Sequence, residues 1–305
     1  LVQSQCGIQL RFLEEALQRE GMTLGPLPAS MRTSTLGGVL ADPPPLAASP
    51  LSGSFIDSCI GVTVATAAGG LLETRVSPRS ATGPDVAKLY LASSGALGVI
   101  TDAVLRVQRE PEAKLCRLIS FEGRDQALQA ASALLAAGLR PARLTVHMEA
   151  VAVSALAGEP GSHQAILATE LEGPEALIGT WASQLDGLCR PFGGGELPQE
   201  LADGYAREHL DPVPRSAPRS QAFLPFSVAS GALSRLDAVL EEVLPGVPIL
   251  RVCDQFTARG ANLWLGWSEA EVAGEAERLE ANLRLAAALT SAGLAPRRRR
   301  HTGPL

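Results

Sequence analysis

From residue 115 onward, short aliphatic runs alternate with amphipathic segments, and that order admits few architectures. Residues 115–121 read as a strand, 124–137 as a helix stopped by Gly138, 143–148 and 165–171 as strands, and 174–188 as a helix. A charged, proline-bearing stretch at 193–219 interrupts the pattern. It resumes with a helix at 233–244, strands at 249–256 and 261–267, and a final helix. In that helix Ser268 and Glu271 have capping-box spacing, Val272, Ala276, Leu279, Leu283 and Ala286 keep helical period, and Gly293 marks the end. Antiparallel strands covered on one face by helices satisfy this order most economically, so the expected fold class is α+β.

The first 112 residues have a different rhythm. Residues 5–20 place Leu10, Leu13 and Leu17 on one helical face, with Glu14, Glu15, Arg19 and Glu20 opposite and Gly21 as the stop. Residues 25–53 turn to Pro, Ser, Thr and Gly around Pro43-Pro44-Pro45, which forbids continuous helix and predicts a long ordered loop. Residues 59–67 and 71–76 read as a hairpin closed by Ala68-Gly69-Gly70; a short helix at 84–92 and a strand at 98–108 follow. The expected boundary between the two parts lies at 112/113.

Composition removes several function classes. Of 305 residues, 46% are apolar and 19% charged, too hydrophobic a balance for a disordered chain, yet no uncharged apolar run of about 18 residues could span a bilayer. Twenty-six Lys and Arg against 32 Asp and Glu leave a net charge of −6, with no global positive field to attract nucleic acid. The basic block Arg297 to Arg300 reads first as a solvated tail. The expected partner is a small-molecule substrate. Five cysteines, Cys6, Cys59, Cys116, Cys189 and Cys253, are odd in number and lack CxxC spacing, which argues for reduced thiols rather than a zinc cage or disulfide framework. With no charged and apolar leader at the start, the expected compartment is cytoplasmic. The GxGxxG, GxxxxGK[ST], HExxH and GxSxG signatures are absent, and His147 and His163 are isolated, so no metal site is assembled.

Three glycine-bearing turns stand out: Ser34-Thr35-Leu36-Gly37-Gly38, the stretch from Pro78 to Asp85, and Ser93-Ser94-Gly95-Ala96-Leu97-Gly98-Val99-Ile100-Thr101. Such turns expose main-chain N–H groups and let a polyanionic or planar ligand approach the backbone. In this order, with the preceding helix and the pair Gly53 and Asp57, they resemble the second half of the FAD-binding domain of PCMH-type flavoproteins, the vanillyl-alcohol oxidase superfamily. Within it they are most similar to the alkyldihydroxyacetonephosphate synthases and the glycolate- or D-lactate-oxidising flavoproteins. The likeness covers roughly residues 7–111; from Arg140-Pro141-Ala142 and 259–264 the later part resembles the family's cap domain more loosely.

The resemblance implies that 1–112 is the C-terminal part of a PCMH-type FAD-binding domain and 113–305 an incomplete cap domain with its helices on one face of the sheet. The implied cofactor is FAD, and the implied activity is oxidation of a hydroxy acid or alcohol-type substrate. Ser30, Ser34, Thr35 and Gly37 would line the flavin or pyrophosphate. Gly95, Leu97, Gly98, Val99 and Ile100 would run beside it, the last two offering main-chain groups to the adenine side. The expected assembly is a homodimer, or a pairing with a chain that carries the family's missing half. Certain positions depart from the pattern: Asp42 and its prolines follow STLGG, Ala92 and Ser94 stand where the family has Gly and Glu, and Trp264 and Arg297 to Arg299 stand where the synthases have tyrosine and histidines. Tryptophan and arginine cannot do the proton chemistry of those residues, so synthase activity is not expected. A degenerate synthase-like chain with weak flavin binding and no catalysis is the alternative reading.

Overall fold

The computed structural model describes residues 1–43, 48–77, 83–148, 165–208, 221–229, 236–243, 249–257, 260–268, 275–291 and 295–296. The chain divides into two compact units, Leu1–Glu112 and Ala113–Leu305.

The first unit opens with β1 (Val2–Gln5), α1 (Leu10–Gln18) and β2 (Met22–Thr23). Next come α2 (Ala29–Arg32), α3 (Leu36–Ala41), the small hairpin β3 (Ala48–Ser49) and β4 (Gly53–Ser54), and a 3-10 turn at Phe55–Ser58. It continues with β5 (Cys59–Ala65), β6 (Leu71–Glu73), α4 (Ala87–Tyr90), β7 (Val99–Leu105) and β8 (Gln108–Arg109). The main sheet has the order β1-β7-β5-β6 and is antiparallel throughout. The expected hairpin forms, as β5 and β6. The expected helix at 5–20 starts only at Leu10, because Val2–Gln5 alternates inward and outward as an edge strand along β7. Leu10, Leu13 and Leu17 are buried as the periodicity requires. Glu14, placed by periodicity on the polar face, is also buried: it accepts from the Thr23 hydroxyl at 2.5 Å and from Leu24 N–H at 2.9 Å, tying α1 to the strand that follows. The stretch expected as one loop at 25–53 holds α2 and α3, with the Thr35 side chain accepting from Gly38 N–H as the N-cap of α3.

The second unit runs β9 (Ala113–Phe121), α5 (Arg124–Ala136), β10 (Arg143–His147), β11 (Ala165–Gly173), α6 (Glu175–Cys189), a 3-10 turn at Arg190–Phe192, β12 (Gly195–Glu196) and α7 (Gln199–Glu208). It closes with β13 (Gln221–Ala229), α8 (Leu236–Val243), β14 (Ile249–Thr257), β15 (Gly260–Ser268), α9 (Glu275–Ser291) and β16 (Ala295–Pro296). Eight strands form one sheet in the order β12-β9-β11-β10-β14-β15-β13-β16, and every pairing is antiparallel. One face carries Ile119, Phe121, Leu144, Val146, Ala165 and Leu167, packed with residues of α5, α6, α8 and α9. On the other face Cys116, Leu118, Ile166 and Ala168 pack against Ala202 of α7. The helical layer on one face is as expected, whereas α7 is an addition on the opposite face; it lies inside the charged stretch that the sequence marks only as an interruption. β13 was not expected either, because Pro225 interrupts its strand signal. The last helix begins at Glu275, and Ser268 ends β15 instead of capping it. Glu271, Arg297 to Arg300, His163 and most of the Pro78 to Asp85 turn lie outside the described residues. No helix among the described residues is long and apolar enough to cross a membrane.

Candidate functional site

Two of the three glycine turns are tied to one short helix in the first unit. The segment ahead of α1 makes the first link: Leu36 N–H donates to Ile8 O and Gly37 N–H to Cys6 O, each at 2.9 Å, and Leu10 N–H donates to Ser34 O at 3.0 Å. The far end of α3 then holds the other turn, because the carbonyls of Leu40 and Ala41 accept from Ala92 and Ser94 N–H, each at 2.8 Å. Residues 34–37 and 92–98 are thereby fixed to the two ends of one short helix. A Cβ at Gly37 would stand 3.0 Å from Cys6 Cβ and 3.3 Å from Ile100 O, so its missing side chain lets α3 lie against β1 and β7.

The second turn is strained. Ala92 (φ 56°) and Ser94 (φ 54°) both hold the left-handed conformation, followed by Gly95 at φ 74° and Gly98 at 150°. That conformation costs a non-glycine residue about 1–2 kcal/mol, and residues held in it against their preference concentrate where a loop has a task beyond stability. Ala92→Gly should therefore stabilise the protein by about 0.5–1 kcal/mol, the relief of strain outweighing the added chain entropy of the unfolded state. The denaturation midpoint of the first unit measures it.

Beyond the turn, Val99 is 68% exposed, Leu97 51% and Leu71 73%, unusual values for apolar side chains beside regular strands. Val99 and Leu71 both pair with Ala65, one from each side, so they share a row and a face of the sheet. A register shift between Thr63 and Val64 leaves Thr101 as the extra residue of β7, held by its hydroxyl to Thr63 O at 3.2 Å. Bulges of this kind re-aim the residues that follow or precede them. The result is a small apolar shelf next to exposed main chain, with an open volume over Gly95 where an added Cβ meets nothing within 4 Å.

The anticipated residues divide in two. Ser34, Thr35, Gly95, Leu97 and Val99 lie on the exposed side of this arrangement, with Thr35 exposed and Ser34 half-buried. Gly98 and Ile100 face inward: Ile100 is buried, and a Cβ at Gly98 would meet Ala65 O and Val64 Cγ1 at 2.7 Å. Ser30 lies in α2. Leu71, Ala65 and Ala92 are part of the same place and were not anticipated. A three-residue strand is too short to display alternation, and a positive φ at alanine leaves no mark in a sequence.

The thiols are inert at neutral pH. Burial, aided by neighbouring acidic groups, pushes Cys6 up to about 12, and burial pushes Cys59 up to about 11. In the second unit the same cause takes Cys116 and Cys189 up to about 12. Cys6, Cys59, Cys116 and Cys189 are unpaired, and no group of three or more His, Cys, Asp or Glu that could hold a metal ion occurs among the described residues. His147, the one described histidine, is buried with Nε2 3.0 Å from the Tyr205 hydroxyl.

Residues 1–75 match the family model of the FAD binding domain. The chain is 28% identical over 191 residues to the glycolate oxidase subunit GlcD of Bacillus subtilis, covering 61% of this chain and 41% of the relative. It is 38% identical over 109 residues to the alkyldihydroxyacetonephosphate synthase of Dictyostelium discoideum, covering 36% of this chain and 18% of the relative. Among solved structures, p-cresol methylhydroxylase with substrate bound superposes with a TM-score of 0.75 at 14% identity, covering 96% of this chain and 67% of that chain. The chain thus spans less than half the length of these two sequence relatives.

Proposed function

We infer that this chain, which belongs through residues 1–75 to the FAD binding domain family and has the fold of PCMH-type flavoproteins, works in an FAD-dependent oxidoreductase acting on a hydroxy acid or alcohol-type substrate. The observation that carries this reading is the fixing of the 34–37 and 92–98 turns to the two ends of α3, with the exposed apolar side chains of Leu71, Leu97 and Val99 at and beyond the second turn. These residues fit one flank of a dinucleotide: apolar side chains for a ring face, exposed main chain for polar edges, and glycine where the ligand comes closest. FAD supplies a flavin ring that accepts a hydride or an electron pair from the substrate carbon bearing the hydroxyl.

In this reading Leu97, Val99 and Leu71 cover the ring system and exclude water from it. The main chain at Gly95 and Val99 would be the part of the chain to hold its polar atoms. Thr35 has a further part. Its Oγ1 already accepts from Gly38 N–H at 3.2 Å, so the hydroxyl proton stays available to donate to a phosphate oxygen; Ser34 precedes it in the turn, and Ser30 in α2 belongs to the same proposal. Residues 1–112 are then the C-terminal part of the cofactor domain and 113–305 the cap. The hydroxy acid is suggested by the glycolate oxidase relative, and a homodimer or a partner chain belongs to the same proposal.

The test is the visible spectrum and released-cofactor mass of the purified chain after incubation with FAD, where a bound oxidised flavin gives a band near about 450 nm. Thr35→Ser keeps both the cap and the proton and should retain flavin. Thr35→Asp keeps the cap but places a carboxylate against phosphate, and should lose flavin while remaining folded by circular dichroism. Wild-type flavin content in Thr35→Asp would remove Thr35 from the site, and a folded wild-type chain that takes up no FAD would leave the degenerate reading in its place.

A further inference from the structure

One polar side chain near the start of the first unit is placed at a cost to stability. Gln9 is the N-cap of α1, with φ −73° and ψ 138°, yet its side chain makes no capping bond, which a serine or aspartate there would supply. Its Oε1 is shut off from solvent and accepts no hydrogen bond among the described residues. A buried amide oxygen without a donor costs about as much as a hydrogen bond gains, so its presence needs a reason other than packing. Methionine, of similar length and without polar atoms, would fill the same space free of that cost.

Gln9 stands directly opposite Thr35 in an isolated antiparallel bridge. Leu10 N–H donates to Ser34 O at 3.0 Å and Leu36 N–H to Ile8 O at 2.9 Å, so 9 and 35 are the pair between two flanking bonds, in which opposite side chains share a face and come closest. Thr35 is exposed and Gln9 half-buried, so the pair straddles the protein surface. A glutamine side chain has three torsions, the last of them soft, and turning them carries the amide outward beside the Thr35 hydroxyl with no movement of the backbone. There it offers a donor and an acceptor together. A phosphate with a sugar hydroxyl next to it needs both: Nε2 donates to a phosphate oxygen and Oε1 accepts from the hydroxyl, while Thr35, its oxygen engaged by Gly38 N–H, supplies a further donor.

We propose that Gln9 is a ligand-binding residue that turns out of its buried position to hold a sugar hydroxyl and the phosphate beside it, next to Thr35. The partnerless oxygen is then the cost of keeping the amide ready, and binding removes it. The choice of FAD as ligand rests on the oxidoreductase reading above, whereas the buried oxygen and its place opposite Thr35 belong to the first unit alone. FAD carries the required chemistry twice, in the ribityl phosphate and in the ribose phosphate of its adenosine; FMN carries the first and ADP the second.

Fluorescence titrations with FAD and FMN, and calorimetry with ADP, compare the wild-type chain with Gln9→Met. The variant should melt a few degrees higher in the absence of FAD and bind FAD about tenfold more weakly, and a merely structural glutamine does not give higher stability together with lower affinity. A matching loss with FMN assigns Gln9 to the ribityl phosphate, and one with ADP assigns it to the ribose phosphate. Folded Gln9→Met with wild-type FAD affinity overturns the proposal, and so does a folded variant whose melting temperature falls along with its affinity. If Gln9→Met is not folded, Gln9→Glu decides: it keeps the length and the acceptor but sets a carboxylate against phosphate, and should weaken FAD by more than about tenfold, so wild-type affinity there is equally fatal. Gln9-dependent binding of FMN or ADP in a chain that takes up no FAD keeps the Gln9 site and sinks the oxidoreductase reading. FAD uptake with equal affinity in wild type and variant does the reverse, and binding of none of the three overturns both.

Discussion

Gly98→Ala should lower the stability of the first unit by about 2–6 kcal/mol. Two costs add. At φ 150° an L side chain is held in a region it rarely adopts, worth about 1–3 kcal/mol. The new Cβ also stands 2.7 Å from both Ala65 O and Val64 Cγ1, and neither is the far end of a flexible side chain: one is backbone of β5, the other the branched methyl of a buried valine. Relieving that overlap moves β7 away from β5 at the shelf, at an overpacking cost of about 1–3 kcal/mol. Gly95→Ala is the control, because Gly95 also has positive φ but open space around it, and should cost only about 1–2 kcal/mol. Urea unfolding of the first unit distinguishes them. If Gly98→Ala costs no more than Gly95→Ala, the close approach of β7 to β5 is not what requires glycine.

Alkaline pH should destabilise both units well before the backbone is attacked. The four buried thiols ionise at about 9.0 when unfolded and at about 11 to 12 when folded. A pKa raised on folding contributes stability that is complete below the unfolded value and lost as pH rises through the folded one, so the decline lies between pH 9 and about 11 to 12. Each thiol contributes a slope of at most about 1.4 kcal/mol per pH unit. For Cys6 and Cys59 together the loss between pH 9 and 11 is then on the order of 5 kcal/mol before solvent screening reduces it, comparable to the whole stability of a small domain. Melting temperatures across pH 8 to 11 show the decline, and a Cys6→Ala, Cys59→Ala double variant should flatten it for the first unit. Equal slopes in wild type and variant would mean that lysine and tyrosine titration, not the thiols, governs the alkaline limb.

Much of the second unit was legible from residue order. Strand 143–147 alternates Leu144 and Val146 with polar residues, strand 165–173 opens on the apolar run Ala165 to Ala168, and helix Arg124–Ala136 has a glycine near each end, so local pattern and tertiary role agree. The failures have definite causes. The helix expected from residue 5 begins only at Leu10, and the polar alternation of Val2–Gln5 becomes a strand only with β7 beside it. α7 is hidden in a polar stretch whose apolar residues, Leu201 and Ala202 among them, matter only once Leu118 and Ile166 lie beneath them. Glu14 looks like surface until Thr23 and Leu24 are brought over it.

The same division holds for the candidate site. Chemical type and order along the chain were enough to select the STLGG and SSGALGVIT turns, because glycine, hydroxyl and apolar residues at fixed spacing depend on local backbone freedom. Which of those residues face outward was decided by the sheet. The Thr101 bulge and the pairing of Val99 and Leu71 about Ala65 leave these two apolar side chains exposed in one row, while Gly98 is closely packed against β5 and the Ile100 side chain is buried. On the second sheet, Arg143 and Glu170 are 27 residues apart, and nothing in their sequence neighbourhoods pairs them; antiparallel register alone puts them opposite each other. Local propensity is a property of consecutive residues and can be read along the chain, whereas exposure, strain and ion pairing depend on distances between remote residues, which only the packed strands determine.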